Sequence, residues 1–262
     1  MTMRVALIQL AVVDGEPWAN VERATPMIRD VARERPDIVL LPELWTTGYA
    51  HDTWNTVADR DTPAVMERLS ALSAELGVTI GGSMVHRRTD GALVNRLTLS
   101  GANGETIASY DKSHLFVPMR EDEFFTAGTS RVDVPVGTAA ASLSICYDLR
   151  FPGMYRASAL GGAELFLVVS EWPDPRSVIL RTLATARAVE NQAFLALCNR
   201  TGTGADGTTF CGGSMVVAPG GDILLDLGRE EGTGVIEIKL RESAVARGML
   251  PVLTHELATV DR

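Results

Sequence analysis

The run Val5-Ala6-Leu7-Ile8-Gln9-Leu10-Ala11-Val12, a helix start at Pro17, and then Asp37-Ile38-Val39-Leu40-Leu41-Pro42-Glu43 decide the fold class. Short apolar, β-branched runs separated by a helix-length stretch are the mark of α/β order. The same rhythm continues outward. A helix fits residues 63–76, and apolar runs at 78–85 and 93–99, separated by the turn Thr89-Asp90-Gly91, read as neighbouring antiparallel strands. Residues 139–145, a helix after Pro152, residues 164–169, a helix over 175–190 and residues 193–198 repeat the pattern. Within 175–190, Ile179, Leu183 and Ala186 recur at helical spacing while Arg187 and Glu190 occupy other faces, which predicts a helix covering a sheet. Strand signals run on through 213–217, 223–227 and 234–238 with no Pro/Ser-rich break, so one domain spanning 1–262 is expected.

Composition sets the outer bounds. A chain of 262 residues, 46% hydrophobic and 22% charged, has the makeup of a globular protein with a sizeable core. Its net charge of −9 repels nucleic-acid backbones and anionic membranes, so neither is an expected partner. The three cysteines, Cys146, Cys198 and Cys211, lack CxxC spacing and are too few for a disulfide scaffold, which fits a reducing, cytoplasmic setting. Arg4 followed by an apolar run has the look of a leader, but Gln9 interrupts it and Asp14-Gly15-Glu16 follows without a small-residue cleavage site; a buried first strand is expected. No apolar stretch approaches the ~18 residues of a membrane span.

Several familiar motifs fail on context. Gly202-Thr203-Gly204-Ala205-Asp206-Gly207 satisfies GxGxxG, yet Thr-Thr-Phe-Cys follows instead of a helix, so a turn is expected. There is no GxSxG, HExxH or Walker A pattern, and the four scattered histidines have no ligand spacing, so no metal is expected. Gly-Gly-Ser-Met-Val occurs at 81–85 and again at 212–216, which reads as two similar strand entrances.

Three polar residues at the ends of apolar runs carry the chemistry. Ile38-Val39-Leu40-Leu41-Pro42 runs straight into Glu43, a charge that is costly to bury unless paired or used. Ser109-Tyr110-Asp111-Lys112-Ser113-His114-Leu115-Phe116 sets a lysine among core candidates, and Leu143-Ser144-Ile145 ends in the thiol of Cys146. Singly they read as a strand-end acid, a solvated loop charge and a small core residue. Together they supply a base, a cation and a nucleophile, the parts needed for covalent attack on a carbonyl carbon.

Leu41-Pro42-Glu43, Tyr110-Asp111-Lys112-Ser113-His114-Leu115-Phe116 and Cys146-Tyr147-Asp148-Leu149-Arg150-Phe151-Pro152 resemble the signatures of the nitrilase, or carbon-nitrogen hydrolase, superfamily. Trp172-Pro173-Asp174-Pro175-Arg176-Ser177, residues 186–193 and Cys198-Asn199-Arg200 also look like family segments and are most similar to the bacterial omega-amidase branch. The resemblance implies a four-layer α-β-β-α sandwich that dimerises, needs no cofactor and acts on a small-molecule amide. It implies a catalytic set of Glu43, Lys112 and Cys146, with Glu121, seven residues before Gly128, as the family's second glutamate in preference to Glu123.

Under that reading Glu43 takes the thiol proton, and Lys112 with the backbone N–H of Tyr147 holds the oxyanion. A thioester forms, ammonia departs, and water releases the acid. Trp172 forms an apolar wall, and Arg176 grips a substrate carboxylate unless it pairs with Asp174. His114 is expected to support the loop by hydrogen bonding, Arg150 to pair with a carboxylate inside the fold, and Cys198 and Cys211 to be structural. An N-carbamoyl amino-acid amidase or a nitrilase would use the same residues, and a catalytically idle binding partner is the reading from another class.

Overall fold

The computed structural model describes residues 1–255. Its first half contains strands β1 (Thr2–Gln9), β2 (Ile38–Leu40), β3 (Thr79–Arg87), β4 (Leu93–Ser100) and β5 (Thr106–Asp111). Helices α1 (Pro17–Ala32), α2 (Trp54–Arg60) and α3 (Thr62–Leu76) lie between them, and the single turn α4 (Glu121–Phe124) follows. The second half runs β6 (Asp133–Val136), β7 (Ala139–Ile145), α5 (Pro152–Leu160), β8 (Leu165–Ser170), α6 (Ser177–Asn191) and β9 (Phe194–Asn199). Short strands β10 (Thr201–Thr203), β11 (Thr209–Cys211), β12 (Met215–Val217) and β13 (Ile223–Asp226) lead to β14 (Gly232–Lys239) and α7 (Arg241–Met249).

Two six-stranded sheets result, ordered β14-β1-β2-β3-β4-β5 and β13-β12-β9-β8-β7-β6, with β10-β11 as a separate ribbon. The strands at the centre of each sheet, β1-β2-β3 and β7-β8-β9, pair in parallel. Alternation along β1 shows why they stack. Val5 and Leu7 join Leu143, Leu167 and Leu195 in a core between the sheets, while Ala6 and Ile8 pack with Val21, Ile28 and Leu72 of the helices. On the far side Tyr155 and Ala159 of α5 and Leu180, Ala184 and Ala188 of α6 cover the second sheet. The order is therefore α-β-β-α, the expected sandwich.

Two expectations need correction. The buried face of α6 is Leu180, Ala184, Arg187, Ala188 and Asn191, while Ile179 is exposed, so the helix is rotated from the 179/183/186 reading. The reason is Arg187, whose Nε donates to the carbonyl of Leu149 at 2.9 Å and ties the helix to the turn after β7. The two Gly-Gly-Ser-Met-Val copies also differ. Gly81 and Gly82 lie within β3, where a Cβ would come within 2.4 Å of Leu99 and 2.9 Å of Leu41, so close packing requires glycine. Gly212 and Gly213 instead take positive φ values of 61° and 71° in the turn before β12, and only this copy is a strand entrance.

Candidate active site

The ends of β2, β5, β7 and β8 bring four functional segments together. Glu43 follows β2 in a turn whose next residue, Leu44, has φ 41°; Leu44 donates its N–H to Ser83 Oγ at 2.9 Å. The serine of the first glycine-rich pentapeptide thus holds the Glu43 loop. Lys112 follows β5, and its backbone bonds both to Asn95 and to Gly128. Glycine is required at 128, since a Cβ there would lie 2.1 Å from the Asp111 carbonyl.

Glu43, Lys112 and Glu121 are all buried, and Lys112 Nζ lies 2.7 Å from both Glu43 Oε1 and Glu121 Oε1. Asn95 donates to Glu43 Oε1 at 2.8 Å, and the main-chain N–H of Glu171 donates to Glu43 Oε2 at 2.9 Å. Glu121 accepts Tyr49 Oη–H on Oε1 and the Phe116 N–H on Oε2, each at 2.7 Å. It is no exposed loop acid. Glu123, two residues on, pairs with Arg120 at the surface. Burial raises the pKa of Glu43 against the pull of the Lys112 ammonium, with Glu121 adding to the rise. Burial works against charge on Lys112, but Glu121 and Glu43 outweigh it and hold the lysine well above its usual range.

Cys146 directly follows β7 and has φ 46°, an uncommon conformation for a side-chain-bearing residue, and its strain has to be held by neighbours. Asp148 provides the hold. It accepts from the Ile145 N–H at 2.9 Å, from Tyr110 Oη at 2.7 Å and from the His114 N–H at 3.1 Å, with His114 Nδ1 at 2.7 Å. His114 is thus a loop support, as its sequence position implied, and its ring stacks on Phe151 with centroids 3.5 Å apart. Burial, then the charge of Glu43, push the Cys146 thiol well above its ordinary pKa, opposed by Lys112. The resting group is a thiol, which needs a base to attack.

Phe116, Tyr147, Arg150, Glu171, Trp172 and Arg176 wall a pocket of about 10 Å³ over Cys146, room for roughly one water. Phe116, Pro173 and Arg176 also border an outer cavity of about 490 Å³. Trp172 is buried and fixed by its indole N–H to the Arg176 carbonyl at 2.9 Å. Arg176 sits over the Phe116 ring at 5.2 Å, while Asp174, its alternative partner, pairs with Arg229 at 2.6 Å. Arg150 departs from expectation: among the described residues it makes no ion pair, and its guanidinium lies over the Trp172 ring at 5.3 Å, facing the pocket instead of the interior. The other thiols are structural in setting. Cys198 is buried and donates to the Ile8 and Leu40 carbonyls, and burial pushes it up to about 12; Cys211 is buried and pushed up to about 11.

Tyr49, Asn95, Asp148 and Glu171 join the site without having been singled out in the sequence. For Glu171 a signal existed, because Leu165–Ser170 runs straight into it as Ile38–Leu40 runs toward Glu43. Among the described residues, no group of acids, histidines and cysteines is arranged to hold a metal.

The sequence model of carbon-nitrogen hydrolases matches residues 4–247. The 2-oxoglutaramate amidase of Bacillus subtilis (strain 168) is 35% identical over 252 residues, covering 96% of each chain. Omega-amidase YafV of Escherichia coli (strain K12) is 33% identical, covering 89% of this chain and 88% of its own. Among solved structures, XC1258 from Xanthomonas campestris, a CN-hydrolase superfamily protein with an arsenic adduct in the active site, superimposes with a TM-score of 0.87 at 28% identity over 97% of both chains. An amidase from Nesterenkonia sp. AN1, carrying the product of Michael addition of acrylamide at its active-site cysteine, superimposes with a TM-score of 0.85 at 30% identity over 95% of this chain and 98% of its own.

Proposed function

The chain belongs to the carbon-nitrogen hydrolase family and is an amidase, and we propose that it hydrolyses a small carboxylate-bearing amide, as an omega-amidase does, through a thioester on Cys146. The observation that carries the mechanism is the buried Glu43–Lys112–Glu121 set gathered at the strand end that presents Cys146.

Because burial holds the thiol protonated, Glu43 removes its proton as sulfur attacks the amide carbon. The carbonyl π pair moves onto oxygen, where the Lys112 ammonium and the Tyr147 N–H meet it. Collapse of this intermediate breaks the C–N bond, Glu43 returns the proton to nitrogen, and ammonia leaves a thioester. Water then attacks the thioester with its proton passing to Glu43, the C–S bond breaks, and Glu43 reprotonates the thiolate as the acid departs. Glu121 keeps Lys112 charged and placed through both halves.

The substrate side rests on the pocket's cations. Arg150 and Arg176 in the wall suit a substrate carboxylate, with Trp172 and Phe116 alongside the carbon chain. Glu43, Lys112, Cys146 and Glu121 are therefore assigned to catalysis, and Tyr147, Trp172 and Arg176 to binding. The proposal extends to one domain over the whole chain, a cytoplasmic setting, supported by three free thiols, and a homodimer. Val178 and Val189, 11 residues apart and so on one side of α6, are exposed and supply an apolar surface for a second copy.

Ammonia release from 2-oxo acid amides, plain amides, nitriles and carbamoyl amino acids tests the activity; preference for a carbamoyl acid or a nitrile would replace the substrate class. Cys146→Ala should abolish both turnover and the acyl adduct seen by intact mass, while Cys198→Ala and Cys211→Ala keep most activity. Full activity in Cys146→Ala would end the thioester mechanism.

A further inference from the structure

Behind the catalytic set lies a second buried ionic group. Arg200 is fully buried, bonds Asp14 through Nη1 at 2.9 Å and is in close contact with Glu171 Oε1. Glu171, also buried, lines the pocket that holds Cys146. Its other carboxyl oxygen, Oε2, is buried with no hydrogen-bond partner among the described residues. Native structures rarely leave such an atom bare, so an oxygen of this kind on a residue of the pocket wall calls for a partner.

We propose that Glu171 is a specificity-determining residue: as a neutral carboxyl it donates a hydrogen bond from Oε2 to a carboxylate or oxo oxygen of the amide substrate. The inference rests on the functional reading above and deepens it by naming a donor beside Arg150 and Arg176.

Charge bookkeeping supports the protonated form. Arg200 is shared by two acids, so one positive charge faces Asp14 and Glu171 together, and Glu43 adds a further negative charge nearby. Burial is the largest influence on Glu171 and outweighs the pull of Arg200, pushing it up to about 8. With Oε1 taken by Arg200, the proton belongs on Oε2. The titratable and charged groups around it are Arg200, Asp14, Glu43 and Tyr49, together with Cys146, Arg150 and Arg176 of the pocket wall. A bare carboxylate oxygen would repel a substrate carboxylate; a carboxylic acid O–H completes a shell of donors around it.

The test compares succinamic acid with butyramide, which has the same chain length but no carboxylate. Glu171→Met removes the donor at similar bulk, and the ratio of kcat/KM for the two amides should fall roughly tenfold or more, mostly through KM for succinamic acid. Glu171→Gln keeps an N–H donor and should hold that ratio near wild type at pH 7. Above pH 8, where the wild-type group ionises, KM for succinamic acid should rise in wild type and stay flat in Glu171→Gln. Equal losses on both amides in Glu171→Met, or a Gln variant as impaired as Met at pH 7, would overturn the proposal. Should Glu171→Met fail to fold, the Gln pH profile decides alone. If wild type cleaves neither amide but does cleave an N-carbamoyl amino acid, the functional reading fails by itself. The same variant pair on that carboxylate-bearing substrate then decides Glu171 separately.

Discussion

Lys112 and Arg200 are both buried cations held between two acids, yet they are built for different work. Around Lys112 every carboxyl oxygen is used: Glu43 and Glu121 each accept the ammonium on one oxygen and a backbone N–H on the other. The ammonium has three hydrogens and spends two on these acids, which leaves one for a developing oxyanion. Arg200 spends its planar fork on the scaffold, donating to Asp14, Glu171 and the carbonyls of Val12 and Thr201, with its face over Phe210 at 4.1 Å. There the unsatisfied atom is on the acid, Glu171 Oε2. A compact point charge with a spare hydrogen suits catalysis, whereas a guanidinium that ties the 12–14 and 171 segments to its own strand end suits a clamp.

The sharpest break of this comparison is to remove each cation. Lys112→Met should lower kcat by roughly 10²–10³ per folded molecule, the range for losing an oxyanion donor. A rise in KM alone would reassign Lys112 to ground-state binding. Arg200→Met should cost about 3–5 kcal/mol in urea unfolding, because Glu171 and Asp14 lose their buried partner. Its turnover per folded molecule should fall less than that of Lys112→Met, and the reverse ranking would erase the distinction.

A smaller effect separates the clusters by pH. Glu171 binds its proton more tightly folded than unfolded, so its contribution to stability is complete below the ordinary carboxylate range and is lost as pH rises toward about 8. Unfolding at pH 5 and pH 8.5 should show wild type losing stability across that window and Glu171→Gln losing less. Equal slopes would mean that Glu171 is already ionised. On the pocket side, Arg176→Lys should reduce turnover of an acidic amide by roughly tenfold relative to an uncharged one, since bidentate pairing is lost. Equal reductions would make Arg176 structural. The smallest change is Tyr49→Phe, which removes one bond to Glu121 and should cost about 1 kcal/mol, read as a several-fold drop in kcat.

Much of the site was legible because strands that end in charge violate their own pattern. Glu43, Lys112 and Cys146 each break an apolar run, and such breaks are visible locally. Glu171 breaks one in the same way. Glu121 is different: in Arg120-Glu121-Asp122-Glu123 nothing local separates the buried acid from the exposed one. Tyr49, Lys112 and the Phe116 N–H make that choice from three other segments. The surroundings of Arg150 are likewise not local, since the ring it faces, Trp172, comes from another segment of the pocket wall.

Periodicity, turn residues and strand-end chemistry are properties of near neighbours, so the sequence by itself determined the α/β order and the sandwich implied by its motifs, and it singled out Glu43, Lys112 and Cys146 as the proposed base, cation and thiol. The tertiary structure decided which charges share one dry space. Lys112 meets Glu43 across 69 residues, the Glu171 N–H meets Glu43 across 128, and Arg200 meets Asp14 across 186. At those separations the pairing of a buried charge depends on how the two sheets stack, and the cost of leaving it unpaired is felt only once water has been excluded.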